Sequence, residues 1–184
     1  MATRRSSSSD DDERLDGPVR LVNYDPAWPA RYAREDARLR DSLGDRALLV
    51  EHVGSTSVPG LAAKPIIDVV LAVADSADEA AYVPALEAAG YRLRISEPDW
   101  HEHRLFEAPD VNLHVFSAGS SEIERMLLFR DRLRAVDEDR ERSEATKRAL
   151  AQRRWPRVQD YADAKTPIVD EIVARASRQA AGLT

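Results

Sequence analysis

Cysteine is absent from this chain of 184 residues, which excludes disulfide bonds and thiolate metal sites. Long apolar runs are also absent: none approaches the ~20 residues that cross a bilayer, and the N-terminus lacks the apolar core of a signal peptide. Positive charge is in the minority, and the net charge of −6 argues against a broad nucleic-acid-binding surface. We therefore expect a cytoplasmic protein with no membrane segment.

Four common catalytic motifs are missing as well. The sequence contains no GxGxxG, GxxxxGK[ST], HExxH or GxSxG. A Rossmann dehydrogenase, a P-loop kinase, a zincin protease and a nucleophile-elbow hydrolase each depend on one of these motifs. These four classes of enzyme therefore have no support in the sequence.

Residues 1–16 are rich in serine and charge and have almost no apolar side chains. Such a segment cannot offset the entropy that it loses on ordering, so we predict a disordered tail. The residues that follow are numerous enough to share one hydrophobic core. We predict a single domain over residues 17–180.

The order of apolar patterns predicts an α+β fold, in which a mixed β-sheet is flanked by helices and followed by a C-terminal helical cap. Apolar residues alternate most clearly in the segment 111–116, where Asn112 and His114 share the opposite face. Strands are predicted over 19–22, 47–53, 66–73, 91–96, 104–108 and 111–116, and helices from Asp25-Pro26 to Gly44 and over 75–89, 121–135, 137–153 and 160–178.

The most informative segment is EHVGSTSVPGLAAKPIIDVVL, which starts at Glu51. A glycine and three hydroxyl residues follow its first apolar run. Glycine lets a ligand approach the backbone, and successive amides of a tight turn can bind an anion. We predict a phosphate-binding loop, with a well-capped surface loop as the alternative, made of Gly54, Ser55, Thr56 and Ser57.

Asp68 lies within the second apolar run of this segment, where a carboxylate is costly to bury unless it is paired or ligates a cation. It is a candidate metal ligand or general base, or else an acid paired with an arginine such as Arg104. His114, on a neighbouring strand, is a candidate partner for Asp68, or a hydrogen-bonded sheet histidine. Lys64 and Arg104 are candidates for binding phosphate, and solvation is the alternative for Lys64.

Two arginines on a predicted helix, Arg130 and Arg134, are one turn apart beside an apolar face. An arginine there needs a partner or an anion. They are candidate phosphate ligands, with pairing to nearby carboxylates as the alternative. Lys147 and Lys165, on the following helices, could complete a basic rim.

Several segments together resemble the GrpB family, which has a nucleotidyltransferase-like fold. The resemblance covers about residues 19–176. The segments that carry it are YDPAW from Tyr24, EHVGSTSVPGLAAKPIIDVVL from Glu51, GYRLR from Gly90, HRLF from His103, NLHVF from Asn112, LFRDRLRA from Leu128, and the pair Tyr161 and Lys165.

The resemblance implies that the Gly54-Ser55 turn holds a nucleoside triphosphate and that Asp68 is the first acid of an Asp-x-Asp metal motif. The second acid of that motif falls on Val70, and a third falls near His114. Two-metal chemistry needs enough negative charge to hold two ions about 4 Å apart. We therefore expect Mg²⁺ or another divalent metal on Asp68 and His114, although this chain has fewer acids there than the motif has.

Two functions follow from these expectations. In the first, the protein binds a nucleoside triphosphate or another small phosphorylated ligand and transfers a nucleotidyl group to an unknown acceptor, with Asp68, His114 and Lys64 as the catalytic residues. In the second, it is a non-catalytic nucleotide-binding or partner-binding module with a degenerate metal site. Family members fused to dephospho-coenzyme A kinase imply that kinase as a partner for the second function.

Overall fold

The computed structural model describes residues 19–182, so the tail predicted over residues 1–16 lies outside the described residues. Five strands form one sheet in this part of the chain, in the spatial order β1-β2-β5-β4-β3. Strands β2 and β5 are parallel, whereas the other neighbouring pairs are antiparallel, which confirms the mixed sheet. The strands are β1 (Leu49–Val53), β2 (Ile67–Val73), β3 (Arg92–Glu97), β4 (His103–Ala108) and β5 (Val111–Ser117).

Helices cover both faces of the sheet, and the α+β class is therefore confirmed. Helices α1 and α2 pack on one face, and α3 packs on the other. Helices α4 and α5 pack against α3 and against each other, which gives the expected C-terminal helical cap. The helices are α1 (Trp28–Leu43), α2 (Val83–Ala88), α3 (Ser121–Ala135), α4 (Asp137–Ala151) and α5 (Val158–Ala180).

The alternation of side chains along β2 and β5 decides which residues reach each layer. Ile67 and Val69 of β2 join the core beneath α1, together with Leu113 of β5. Val70 and Phe116 lie on the other face, where they contact α3. Polar residues on the face of the sheet that packs against α3 therefore lie beside this second core and not within it.

Two predicted elements are shorter in the structure. The helix predicted over 75–89 consists of a 3₁₀ turn at Glu79–Ala81 and the short helix α2. Proline has a fixed φ and no N–H, so Pro84 lies in the first turn of α2, which begins at Val83, instead of inside a longer helix. The strand predicted over 19–22 is a single bridge between Val22 and Ala63. None of the helices within residues 19–182 is both long and apolar enough to cross a membrane.

Candidate functional site

A cavity of about 490 Å³ lies between the α3 face of the sheet and the last two helices. Its walls come from the sheet, from two loops beside it and from the last two helices. The sheet contributes Asp68, Asn112 and His114, the loop after β1 contributes Gly54 and Ser55, the segment before β2 contributes Lys64, and the helices contribute Lys147, Tyr161 and Lys165.

Asp68 lies half-buried in the wall of this cavity. Asn112, directly opposite it on β5, donates a hydrogen bond from Nδ2 to Asp68 Oδ1 at 3.0 Å. Burial raises the pKa of the Asp68 carboxyl, while the bond from Asn112 and the charges of Lys165 and Lys64 act in the opposite direction. Asp68 thus combines cationic neighbours with a carboxylate that burial makes a stronger base.

The loop after β1 forms a 3₁₀ turn at Ser55–Ser57 behind Gly54, which has a φ of 67°. Two of its three hydroxyls stabilise the turn itself. Ser57 Oγ donates to the Gly54 carbonyl oxygen at 2.6 Å, and Thr56 Oγ1 donates to the Ile66 carbonyl oxygen at 3.1 Å. Ser55 is the remaining hydroxyl of the loop. A ligand in the cavity can therefore reach the Ser55 hydroxyl without breaking the turn.

Lys147 connects helix α4 to this loop. Its ammonium group donates to Ser55 Oγ at 3.0 Å and to the Ala62 carbonyl oxygen at 2.6 Å. Burial is the largest cause that lowers the pKa of Lys147, to about 7, and the charge of Lys165 acts in the same direction. An anion that entered beside Lys147 would offset both costs.

Lys64 and Lys165 approach the same aromatic ring, that of Tyr161. The Nζ atoms lie 5.4 Å and 4.6 Å from the ring centroid, respectively. Burial lowers the pKa of Lys165, whereas Asp68 supports its charge. Together with Lys147, three lysine side chains therefore line this cavity.

The composition of the chain makes this cluster distinctive. The whole sequence has 24 arginines and three lysines among its 27 basic residues. All three lysines, Lys64, Lys147 and Lys165, line one cavity. The scarcity of lysine is the sequence signal that could identify all three of these residues together. The sequence analysis assigns a catalytic role to Lys64 alone among them.

His114 lies on the same face of the sheet as Asp68, as the alternation predicted. Its register partner on β2 is Val70, so His114 is displaced by two residues from Asp68. The partner of its ring is His103, whose Nε2 lies 3.1 Å from His114 Nδ1. Burial, followed by the proximity of His103, lowers the pKa of His114 to about 3. His114 is therefore a neutral residue of the cavity wall.

Arg104 lies away from the cavity, contrary to the expectation that it would help to bind phosphate there. Residues alternate along β4, so Arg104 reaches the opposite face from His103. Its guanidinium pairs with Glu79 and donates to the carbonyl oxygens of Glu102 and His103. The alternative pairing of Arg104 with Asp68 is wrong for the same reason.

Arg130 and Arg134 are also separated from this cavity. They line a second cavity of about 400 Å³, which lies on the far side of the Gly54 loop. Arg130 pairs with Glu51 at 2.7 Å and with Asp131 at 2.7 Å, and Arg134 donates to the Ser57 carbonyl oxygen. Pairing with carboxylates, the alternative considered for these arginines, describes the contacts of Arg130, and Arg134 also lies 3.6 Å from Asp131.

His52, beside the loop, supports the turn. Its Nε2 lies 3.0 Å from Thr56 Oγ1, and its ring stacks on Tyr32 with a centroid distance of 4.7 Å. Burial, followed by the charges of Arg134 and Arg130, lowers the pKa of His52 to about 4. His52 therefore stabilises the loop as a neutral side chain.

The donor set of the cavity does not fit a protein-held pair of metal ions. Among residues 19–182, no group of three or more histidine and acidic side chains is placed to hold a metal. Asp68 already accepts from Asn112, and Glu107 pairs with Arg94 at 3.0 Å. Mg²⁺ prefers several oxygen ligands, whereas lysines dominate here. Whether an ion enters together with a nucleotide stays a prediction.

Comparison with known proteins places this chain among close relatives. A UPF0157 protein of Halalkalibacterium halodurans is 62% identical over 161 residues, which cover 86% of this chain and 83% of that protein. A dephospho-CoA kinase of Mycolicibacterium paratuberculosis is 35% identical over 188 residues, which cover 86% of this chain and 46% of the kinase. The similarity to that kinase thus spans less than half of its length.

A similar fold is found among the solved structures in the conserved protein GrpB from Enterococcus faecalis. It has a TM-score of 0.73 and 29% sequence identity, and the match covers 85% of this chain and 98% of that one. The family model described as GrpB protein matches residues 18–175. Family model, relatives and fold agree, and the chain belongs to the GrpB family.

Proposed function

We propose that the lysine-lined cavity binds the phosphate groups of a small phosphorylated ligand, of which a nucleoside triphosphate is the first candidate. The observation that carries this proposal is the convergence of all three lysines of the chain on one cavity. A buried ammonium group is costly without an anionic partner. A bound phosphate would supply that partner for Lys147 and would add to the charge that supports Lys165.

The charge within the cavity supports an anionic ligand. Asp68 supplies one negative charge near Lys165, and Glu107 is already paired with Arg94. Within residues 19–182, the acceptors of the Lys147 ammonium group are both neutral, the Ser55 hydroxyl and the Ala62 carbonyl oxygen, while the charge of Glu144 supports it without a hydrogen bond. A phosphate would therefore bind beside Lys147 and Ser55.

Transfer of a nucleotidyl group is the enzymatic form of this proposal. An acceptor hydroxyl, amine or carboxylate would attack the α-phosphorus, and pyrophosphate would leave with its charge offset by the lysines. A hydroxyl or amine acceptor must also lose a proton. Asp68 and His114, both in the cavity wall, are the groups to which we assign this proton.

Calorimetric titration with ATP and with inorganic tripolyphosphate tests the binding, with adenosine as the ligand that lacks phosphate. We expect Lys147→Met and Lys165→Met each to lower the affinity for both phosphates at least about tenfold, the cost of a lost hydrogen bond to a charged group. Arg40→Met is the matched control, since Arg40 is half-exposed on α1 and pairs there with Asp36.

Two results would refute phosphate binding at this site. One is that neither ATP nor tripolyphosphate binds at millimolar concentration. The other is that the Lys147 variant binds both as tightly as the control does. Ser55→Ala extends the test, because it removes the loop hydroxyl that Lys147 contacts while the bonds within the turn remain.

The same titrations test the expected metal. If Mg²⁺ enters with a nucleotide at Asp68, magnesium should strengthen ATP binding to the wild type and not to Asp68→Asn. The asparagine keeps the size of the side chain and can still accept from Asn112. Equal magnesium effects in both proteins would remove Asp68 from the metal proposal and leave phosphate binding intact.

A non-catalytic nucleotide-binding or partner-binding module is the second candidate function. Val70 in place of a second acid favours it, as does the similarity to one segment of a dephospho-CoA kinase. That kinase is the partner to test, by measuring its association with this protein. Release of pyrophosphate from labelled ATP would support the enzyme, whereas ATP binding without turnover would support the module.

A further inference from the structure

We propose that Glu97 and His103 orient His114 so that its Nε2 faces the cavity without a proton and accepts a hydrogen bond, and then the proton, of a ligand hydroxyl or amine. This inference rests on the proposed function, in that it needs a ligand in the cavity. It makes His114 a proton acceptor of the cavity, with Glu97 and His103 as positioning residues.

The three side chains form a continuous hydrogen-bonded row. Glu97 Oε2 lies 2.8 Å from His103 Nδ1, and His103 Nε2 lies 3.1 Å from His114 Nδ1. The row crosses three adjacent strands, because β3 supplies Glu97, β4 supplies His103 and β5 supplies His114. His114 is the member of the row that lines the cavity.

The direction of these bonds follows from the chemistry of their ends. A carboxylate only accepts, so the His103 Nδ1–H donates to Glu97. The other nitrogen of a neutral imidazole is an acceptor, so His103 Nε2 accepts from the His114 Nδ1–H. The remaining nitrogen, His114 Nε2, then carries a lone pair. A doubly protonated His103 would reverse the second bond and put a proton on His114 Nε2.

Packing fixes the middle member of the row. His103 is 4% exposed and lies against Phe116 with a centroid distance of 4.8 Å. Trp100 contacts it edge-on with a centroid distance of 5.3 Å. A ring held on two sides cannot turn to exchange its nitrogens. The tautomer of His103 is therefore set by Glu97, and His103 sets the tautomer of His114.

A second histidine is useful because His114 is a poor place for a positive charge, being buried beside another ring. When the ligand's proton moves to His114 Nε2, the Nδ1 proton can move to His103 Nε2. The positive charge then lies on His103, next to the carboxylate of Glu97 at 2.8 Å. One proton enters the row, one N–H bond forms at each histidine and one breaks at His114, so the ligand is left with the electron pair.

This arrangement also restricts the ligand. A molecule that satisfies both ends of the cavity carries phosphate for the lysines and a hydroxyl or amine for His114. Inorganic tripolyphosphate has only the first of these features, whereas ATP has both. We therefore expect ATP, and not tripolyphosphate, to contact His114.

Long-range ¹H–¹⁵N spectra of the histidine rings test the row, because they report which nitrogen carries the proton. In the unliganded protein we expect protons at His103 Nδ1 and His114 Nδ1. Glu97→Gln can donate to His103 Nδ1 and so removes this preference, whereas Glu97→Asp keeps a carboxylate and should restore it in part. Glu87→Gln, on an exposed position of α2, is the control.

A proton on His114 Nε2 in the wild type would overturn the proposal, as would a His114 tautomer that is the same in wild type and Glu97→Gln. These outcomes are read without a ligand, so they are independent of phosphate binding. When ATP is then added, the His114 Nε2 resonance should shift, and tripolyphosphate should leave it unchanged. ATP that binds without moving this resonance would support the proposed function and refute the role of His114.

Discussion

Gly54 and Asp68 approach each other so closely that no side chain fits between them. A Cβ atom on Gly54 would lie 2.9 Å from the Asp68 Cβ and closer still to the Asp68 carboxylate. The two residues lie at paired ends of neighbouring strands, since Val53 is the register partner of Asp68. The loop after β1 and the Asp68 carboxylate are thus fixed relative to each other by the close approach of the Gly54 backbone to the Asp68 side chain.

The first prediction concerns this contact. Gly54→Ala should lower the free energy of unfolding by more than Gly60→Ala does, measured by urea denaturation. Both glycines have positive φ values, 67° and 79°, so both substitutions carry a backbone cost of about 1–2 kcal/mol. Open space surrounds Gly60, however, whereas Gly54 meets Asp68. Equal losses in the two variants would show that the loop can move away from Asp68.

The second prediction concerns pH and phosphate binding. The pKa of Lys147, about 7, means that its charge is lost as the pH rises from 6.5 to 8.5. The affinity of the wild type for tripolyphosphate should therefore approach that of Lys147→Met over this range. Comparing the two proteins in each buffer cancels the titration of the ligand. An affinity ratio that stays constant from pH 6.5 to 8.5 would contradict the role given to Lys147.

The third prediction concerns stability in acid. The pKa of His114 is about 3 in the folded protein and 6.5 ordinarily, so below pH 6.5 the unfolded chain binds a proton that the folded chain does not. The free energy of unfolding must then decrease as the pH is lowered. For this group the decrease is at most about 2 kcal/mol between pH 6.5 and pH 5. Urea denaturation should show a smaller loss in His114→Gln.

His52 acts in the same direction, because its pKa is also lowered, to about 4. His52→Gln should therefore lose less stability in acid than the wild type. His101→Gln is the control, since His101 is exposed. A pH dependence that is equal in all four proteins would mean that other groups cause the acid unfolding.

The fourth prediction separates Arg104 from the site. Arg104 is 5% exposed and pairs with Glu79 on the face of the sheet opposite the cavity. Arg104→Met should cost about 2 kcal/mol of stability, as expected for a lost charge-assisted hydrogen bond. Its affinity for ATP should equal that of the wild type. A tenfold weaker affinity in a folded Arg104 variant would return this residue to the binding site.

The strands of the sheet, and the face on which their side chains lie, could be predicted from local patterns of apolar residues. Alternation along β5 placed Asn112 and His114 on one face, and the β-branched run of β2 placed Asp68 in the same sheet. The helix predicted over 75–89 was wrong in its length, because Pro84 fits the start of a helix better than its interior. A proline does not always end a helix, however, because Pro167 lies within α5, which forms as predicted.

The contacts within the site could not be read in this way. The partners of His103 come from two other strands, Glu97 from β3 and His114 from β5. Lys147 reaches Ser55 across 92 positions of the chain. Such contacts depend on how the last helices pack on the sheet, and a single sequence contains no local signal for that packing.

The position of the lysines makes the cavity open to study by amine chemistry. Apart from the α-amino group, the primary amines of this protein are the Nζ atoms of Lys64, Lys147 and Lys165, whose residues all line this cavity. A reagent selective for amines therefore reports on this site and on almost nothing else. Protection of these three residues from acetylation, read by mass spectrometry, would allow libraries of unlabelled metabolites to be screened for the molecule that occupies the cavity.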